Sequence, residues 1–275
     1  MSGALYLVAT PIGNLGDFSP RAVETLKTVD FIAAEDTRGS IKLLNHLDIK
    51  KPMVSYHRHN TESGGRAVLE RLLAGEKCAL VTDAGMPVVS DPGFRAVRAA
   101  TEAGFRTTVI PGPSAVLTAL AASGIAPDRF TFEGFPPRRD GRRATALEPL
   151  AEEQRTMVFF ESPRRTAATL ESMAEAFGPQ RQAAVARELT KTHEQLVRGT
   201  LAELVDWAGG TEVLGEVVIV VAGAEPVAAR AEDLVEEVLA RAAAGERLKA
   251  VAKEIARAHP GVGASELYDL ALQRR

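Results

Sequence analysis

Short apolar runs alternate with loops of glycine, proline and charge across residues 1–112, and that alternation admits few architectures. The runs lie at 5–10, 31–34, 53–55, 78–81 and 107–110. Each is strand-length, and helical spacing of apolar side chains follows it. Strands alternating with helices predict a parallel sheet with right-handed crossovers. Ser19 and Pro20 open one helix, with Val23, Leu26 and Val29 facing inward. Asn60 or Thr61 caps another that carries Val68, Leu69 and Leu72, and Asp91 with Pro92 begins a third with Phe94, Val97 and Ala100 inward. In open sheets of this class, ligands sit beyond the carboxyl ends of the strands.

Those ends carry the chemistry. The first runs into Pro11-Ile-Gly-Asn-Leu-Gly-Asp17, which lacks the GxGxxG spacing of a dinucleotide loop. Pyrophosphate binding is therefore disfavoured there, while a ligand lying against backbone is allowed. The second ends in Glu35, Asp36, Thr37 and Arg38, two acids and a base that suit either a site or a helix cap. The third runs into Tyr56, His57, Arg58, His59 and Asn60. The fourth breaks into residues 82–90, where Gly85 lets backbone approach a ligand and Pro87 stiffens the loop. The fifth leads through Pro111, Gly112, Pro113 and Ser114 into an apolar helix.

Residues 113–225 read as a second α/β unit, with strands at 130–132, 156–160, 183–189 and 215–222, the last one central. Arg138, Arg139, Arg142 and Arg143 lie among prolines and glycine and predict a mobile basic loop, suited to phosphate through the planar guanidinium fork. Arg164 and Arg165 stand in the first turn of a helix, where they oppose its dipole and point to anion binding. Thr190, Lys191, His193 and Glu194 read as a polar turn. Residues 226–275 carry three amphipathic helices, marked by Val235 and Val238, by Val251 and Ile255, and by Leu267 and Ala271. Their mixed charge gives no case for DNA, and packing or dimerisation serves them equally well. The expected organisation is two α/β domains, 1–112 and 113–225, and a helical tail, 226–275.

The net charge of −3 and pI near 6.0 exclude a globally basic nucleic-acid binder, so any such binding needs a local patch. Cys78, the single cysteine, lies in an apolar run and is a core residue rather than a nucleophile. It and five histidines offer no zinc spacing, so no metal is expected. The absence of a transmembrane-length apolar stretch and of a signal-peptide pattern predicts a soluble, cytoplasmic protein without a membrane partner.

Six motifs in this order resemble the bacterial 16S ribosomal RNA ribose methylases of the tetrapyrrole methylase superfamily. They are Leu7-Val-Ala-Thr-Pro-Ile-Gly-Asn-Leu-Gly-Asp17, Ala34-Glu-Asp-Thr-Arg38, Asp83-Ala-Gly-Met-Pro-Val-Val-Ser-Asp-Pro-Gly93, Pro111-Gly-Pro-Ser-Ala115, Glu161-Ser-Pro-Arg-Arg165 and Ala186-Arg-Glu-Leu-Thr-Lys191. The likeness spans the whole chain, with one departure: the family's histidine after Ser-Pro is Arg164 here.

The resemblance implies two α/β domains enclosing S-adenosylmethionine, a homodimer, and methyl transfer to a cytidine 2′-hydroxyl in the decoding centre of 16S RNA within the small ribosomal subunit. By that analogy the cofactor touches Pro11, Asp83, Gly85, Met86, Val89, Ser114 and Ala115, with Phe160, Ala186 and Val217 from the second domain. RNA contacts fall to Arg38, Arg58, Arg138, Arg139, Arg142, Arg143, Arg164, Arg187 and Lys191. The hydroxyl must lose a proton, and Glu35, Asp36, His57, Glu161 and Glu188 are unranked candidates to take it. Two other readings stand beside this one: a methylase of a tetrapyrrole precursor, and a non-catalytic RNA-binding sensor of S-adenosylmethionine. A nucleotide-dependent oxidoreductase is more distant, for want of the dinucleotide spacing.

Overall fold

The computed structural model describes residues 3–57, 60–225, 230–259 and 261–274. Residues 1–224 form one compact unit and residues 225–275 another.

The first sheet contains β1 (Ala4–Val8), β2 (Phe31–Ala34), β3 (Met53–Ser55), β4 (Lys77–Val81) and β5 (Arg106–Ile110), in the order β3-β2-β4-β1-β5. Every pairing is parallel. Alternate residues serve opposite faces, as the strand period requires. Leu5, Leu7, Phe31, Ala33, Cys78 and Leu80 pack beneath α3 (Thr61–Leu73) and α4 (Gly93–Glu102). Val8, Ile32, Ala34, Ala79 and Val81 pack beneath α1 (Pro20–Thr28) and α2 (Thr37–His46). Ser19 caps α1 through the backbone N–H of Ala22, with Pro20 in its first turn.

Three local expectations change. Phe94 is 59% exposed, and Gly93, Ala96 and Ala100 form the buried stripe of α4 instead. Val23 is only partly buried on α1. Asn60 does not cap α3, because its side chain accepts from the His57 backbone N–H (2.7 Å) and donates to the Ser55 carbonyl (2.9 Å).

The second sheet is mixed. Its strands are β6 (Phe130–Gly134), β7 (Thr156–Glu161), β8 (Gln182–Arg187), β9 (Gln195–Thr200) and β10 (Val217–Val221), ordered β6-β7-β10-β8-β9. Only β6 and β7 run parallel. The apolar β10 is central, as its sequence predicts. One face packs on α6 (Asp140–Leu147), α7 (Thr166–Phe177) and α8 (Leu201–Gly210) through Leu147, Met157, Phe159, Leu170, Met173 and Leu204. The other packs on α5 (Ala115–Ser123) through Val116, Leu120, Val158, Ala186 and Val218. Ile12, from the loop after β1, enters this second core.

β9, which follows the polar turn, is not among the strands read from the sequence. The arginine-rich segment is no mobile loop either: α6 starts at Asp140 and buries Arg143. The second unit is three helices, α9 (Ala231–Ala243), α10 (Leu248–Ala258) and α11 (Ala264–Gln273), around Val235, Val238, Val251, Ile255 and Leu267. No helix among the described residues is long and apolar enough to cross a membrane.

Candidate active site

The loop after β4 is tied to β1 by an isolated antiparallel bridge, in which Thr10 and Gly85 exchange backbone hydrogen bonds of 3.0 and 3.1 Å. The buried Thr10 hydroxyl donates to the Thr82 carbonyl at 3.1 Å. Gly85 has φ +82°, and a Cβ there would stand 3.3 Å from Cγ2 of Ile12. Farther along, Val88 and Ser90 adopt φ of 81° and 64°. Left-handed conformations in such residues cost about 1–3 kcal/mol each and persist where surroundings enforce them. Asp91 supplies the enforcement: its carboxylate accepts from the N–H groups of Val88 and Gly93, both at 2.6 Å.

This loop walls a cavity of about 390 Å³ at the carboxyl ends of the first sheet. Ile12, residues 84–86, Val89, Ser90 and residues 114–116 line it from the first half. Phe135, residues 160–163, Leu189 and residues 215–218 line it from the second. Gly85, Met86, Val89, Ser114, Ala115, Phe160 and Val217 thus meet at one site, as expected by resemblance. Ser114 also caps α5. Phe160 is set by edge-on contacts with Phe132 (4.8 Å) and Phe135 (5.5 Å). Among the described residues the lining holds two carboxylates, Glu161 and Glu216, and no lysine, arginine or histidine. Both carboxylates are paired with cations outside the lining, Arg165 and Lys191, so the cavity suits a largely apolar ligand and disfavours a pyrophosphate.

Glu161 is 3% exposed. Its oxygens accept from the Thr169 hydroxyl (2.6 Å) and the Ser162 N–H (2.6 Å) and pair with Arg165 (2.5 Å). A carboxylate so occupied is a poor proton acceptor and a good structural anchor. Arg165 continues from it to the Ser162 hydroxyl and the Pro136 carbonyl.

Pro11 and Asp83 line a second cavity, of about 460 Å³, with Gly13, Asp36, Lys42, His46 and Thr82 among its walls. The two cavities share loops, since Ile12 and Ala84 face the first while Pro11, Gly13 and Asp83 face the second. The Asp36 N–H donates to the Asp83 carboxylate at 3.1 Å. Asp36 caps α2 by accepting from the Arg38 N–H at 2.9 Å. That bond, aided by the Arg38 charge, holds its carboxyl below the ordinary range despite partial burial. Ala186 lies in the core behind the first cavity and does not line it. Glu35 and His57 are half-buried at the ends of β2 and β3 and line neither cavity.

Glu188 is engaged rather than available. It pairs with Lys191 at 2.7 Å and accepts from the Glu216 N–H at 3.0 Å. These bonds, the Lys191 one first, hold its carboxyl below the usual value. Lys191 also reaches Glu216 at 2.9 Å. Burial alone would lower the Lys191 ammonium, but the two carboxylates together outweigh it and raise it.

Arg38, Arg138, Arg139, Arg142 and Arg164 are exposed. Arg143 is not an RNA contact: it is 3% exposed and spends its guanidinium on Asp140 (2.9 Å), the Ser172 hydroxyl (3.0 Å) and the Ala168 carbonyl (3.1 Å). Arg187 bonds Gln195 at 2.6 Å and the Leu214 carbonyl at 3.3 Å, which leaves it half-buried. Arg58 lies outside the described residues. Among the lining residues that sequence reasoning missed are Ile12, Phe135, Leu189, Gly215 and Glu216. Gly215 before the central strand was the one local signal; the others depend on tertiary placement.

The chain matches the family described as Tetrapyrrole (Corrin/Porphyrin) Methylases over residues 4–205. Among solved structures, diphthine synthase superposes with a TM-score of 0.63 at 15% identity, over 80% of this chain and 90% of its own. Uroporphyrin-III C-methyl transferase from Thermus thermophilus, solved with S-adenyl homocysteine, gives 0.57 at 20% identity, over 80% and 97%. These two likenesses are of fold. A Mycobacterium bovis protein named ribosomal RNA small subunit methyltransferase I is 49% identical, covering 100% of this chain and 96% of its own length. A Pseudomonas aeruginosa protein of the same name is 43% identical over 100% and 98%. The chain therefore belongs to the tetrapyrrole methylases, a family of S-adenosylmethionine-dependent methyltransferases, and within it to the branch of the ribosomal RNA small subunit methyltransferase I proteins.

Proposed function

We propose that this methyltransferase uses S-adenosylmethionine to methylate the ribose 2′-hydroxyl of a cytidine in the decoding centre of 16S ribosomal RNA. Methylation of ribosomal RNA is supported by full-length relatives carrying that name at 43–49% identity. The cofactor assignment is supported above all by the first cavity, of about 390 Å³, whose size suits such a ligand and whose lining among the described residues is mostly apolar, its two carboxylates being paired with Arg165 and Lys191. Phe160, Met86 and Val89 would flank the cofactor's apolar parts. Gly85 leaves room that a side chain would take from Ile12. S-adenosylmethionine supplies an electrophilic methyl group on a cationic sulfur.

The chain's own residues orient and enclose. Alignment of acceptor and donor in a fixed site can supply several kcal/mol, about 7 or more in the best cases. Of the five acid–base candidates, Asp36 alone combines a cavity-lining position with an exposed carboxylate, 45% accessible. Asp36 is the proposed proton acceptor; it is ionised at neutral pH as any aspartate is, and the Arg38 N–H that holds its carboxyl lower makes it a weaker base than a free one. The exposed Arg38, Arg138, Arg139, Arg142 and Arg164 are the proposed phosphate contacts. The enzyme acts as a homodimer in the cytoplasm, on the small ribosomal subunit.

Labelled methyl transfer to 30S subunits from cells lacking the gene, with the modified nucleotide mapped, tests this. Label on one decoding-centre cytidine ribose is expected. Label on a tetrapyrrole precursor and none on 30S particles would replace the RNA reading. Cofactor binding with no transfer to either would leave a sensor.

A further inference from the structure

We propose that Lys191 is a positioning residue for methyl transfer: with Glu188 and Glu216 it latches the turn after β8 to the loop after β1, and thereby fixes the cavity wall made by Leu189, Gly215 and Glu216. The proposal rests on reading the first cavity, of about 390 Å³, as the donor site.

The turn is held from within and from outside: the Thr190 N–H donates to the Glu194 carboxylate at 2.6 Å and the Lys191 N–H to the Glu188 carbonyl at 3.0 Å, and the remaining ties run to the segment entering β10. Glu188 and Thr190 adopt φ of 52° and 66°, a region that non-glycine residues avoid. The Thr190 hydroxyl is buried without a hydrogen-bond partner, so it contributes nothing to holding the conformation. The Lys191 ammonium bonds Glu188 at 2.7 Å and Glu216 at 2.9 Å. The Glu188 carboxylate also accepts from the Glu216 N–H at 3.0 Å, and the Glu188 N–H donates to the Glu216 carbonyl at 3.0 Å. Charge and backbone bonds thus join the turn to the segment entering β10.

Two glycines mark how tightly the parts meet. A Cβ on Gly215 would collide with the Glu188 carboxyl. One on Gly13, in the loop after β1, would collide with Cγ of Lys191 and stand 2.9 Å from the Thr190 hydroxyl. The stem of Lys191 therefore lies on the first half of the molecule while its ammonium is held by the second. Gly13 lines one cavity, and Leu189, Gly215 and Glu216 line the other, so the latch stands between them. Lys191 itself lines neither, and its charge is answered by two carboxylates in place rather than offered to a phosphate.

Amide hydrogen exchange on the full chain, without added cofactor, reads the latch directly. Lys191→Met should speed exchange at Glu216 about three- to tenfold and leave Gly85 unchanged, whereas Lys191→Arg should stay near wild type. In methyl transfer, Lys191→Met should raise KM for S-adenosylmethionine by a similar about three- to tenfold with kcat within about twofold, the pattern of weakened binding rather than altered chemistry. The reversed pair Lys191→Glu with Glu216→Lys should recover part of the loss. Unchanged exchange and KM in Lys191→Met would overturn the proposal, as would a loss confined to kcat. If Lys191→Met fails to fold, Glu216→Gln decides by the same readouts, with a smaller change in the same direction expected and none overturning. Failure of the wild type to bind S-adenosylmethionine would sink the donor reading alone, since the exchange result judges the latch without cofactor.

Discussion

The two walls of the first cavity, the proposed donor site, are held in part by different means. On the first-half side, the loop after β4 is pinned by backbone bonds between Thr10 and Gly85 and by Asp91 accepting from Val88 and Gly93. On the second-half side, the turn after β8 is pinned by Lys191 between Glu188 and Glu216, with side chains 29%, 19% and 72% exposed. Both walls contain left-handed non-glycine residues, Val88 and Ser90 in one, Glu188 and Thr190 in the other. The strain is alike, and both walls use hydrogen bonds to backbone N–H groups, but only the second adds a partly exposed ion pair. Short hydrogen bonds to backbone N–H groups are costly to break and little affected by salt, whereas a partly exposed ion pair is weak and screened. The first wall should behave as fixed architecture and the second as an adjustable part.

The contrast breaks most visibly at Asp91. Asp91→Ala leaves two N–H groups without their acceptor and frees Val88 to leave its strained conformation. A loss of about 2–4 kcal/mol in denaturant unfolding is expected, with S-adenosylmethionine affinity down at least about tenfold. Stability within about 0.5 kcal/mol of wild type would show that the first wall does not depend on this carboxylate. Gly85→Ala comes next. At φ +82° the methyl adds backbone strain and presses on Ile12 at 3.3 Å, so about 1–2 kcal/mol of destabilisation is expected in the same titration, along with weaker cofactor binding.

The same asymmetry governs what could be read from the chain. The parallel sheet was legible because strands buried on both faces leave continuous apolar runs, as 31–34 and 78–81 do. The first wall was legible too, since Gly85, Pro87 and Ser114 are turn and cap residues with fixed local meaning. β9 was not: it is an edge strand carrying Arg198 and Gly199, and no apolar run marks it. The second wall was not legible because left-handed Glu188 and Thr190 carry no sequence signature. The Arg143 reading failed because its burial is decided by Ser172 and the Ala168 carbonyl on α7, groups that spacing along the chain does not reveal. The methyl donor came from six ordered motifs resembling a family, not from periodicity.

Salt should touch the second wall more than the first, and acid should reach the second wall through Glu188. Between about 0.05 and 0.5 M salt, exchange at the Glu216 amide should rise roughly twofold while that at Gly85 stays put. The Glu188 carboxyl is held below its ordinary value in the folded chain. Its contribution is therefore complete above the unfolded pKa, near 4.3, and is lost as pH falls through the lower folded value. Protection of the Glu216 amide, taken relative to its intrinsic exchange rate at each pH, should fall below about pH 4, and Glu188→Gln should abolish that acid step. An equal response at Gly85 would mean that the walls are not independent.

The smallest expected difference is none at all, and it tests whether the walls stand on one body. Residues 1–224 form a single compact unit, so both sheets should unfold together. Each carries a unique reporter. Cys78 is buried in the first sheet, where burial pushes its thiol up to about 12, so it stays protonated and enclosed at pH 8.5 until that sheet opens. Trp207, the single tryptophan, packs against the core of the second. Alkylation of Cys78 and fluorescence of Trp207, followed through the same urea titration, should share one midpoint. Above about pH 8.5 the unfolded thiol ionises while the folded one does not, so that common midpoint should fall as pH rises. Alkylation preceding the fluorescence change would show the parallel sheet opening alone, and the latch at Lys191 would then be a hinge between separately folding halves.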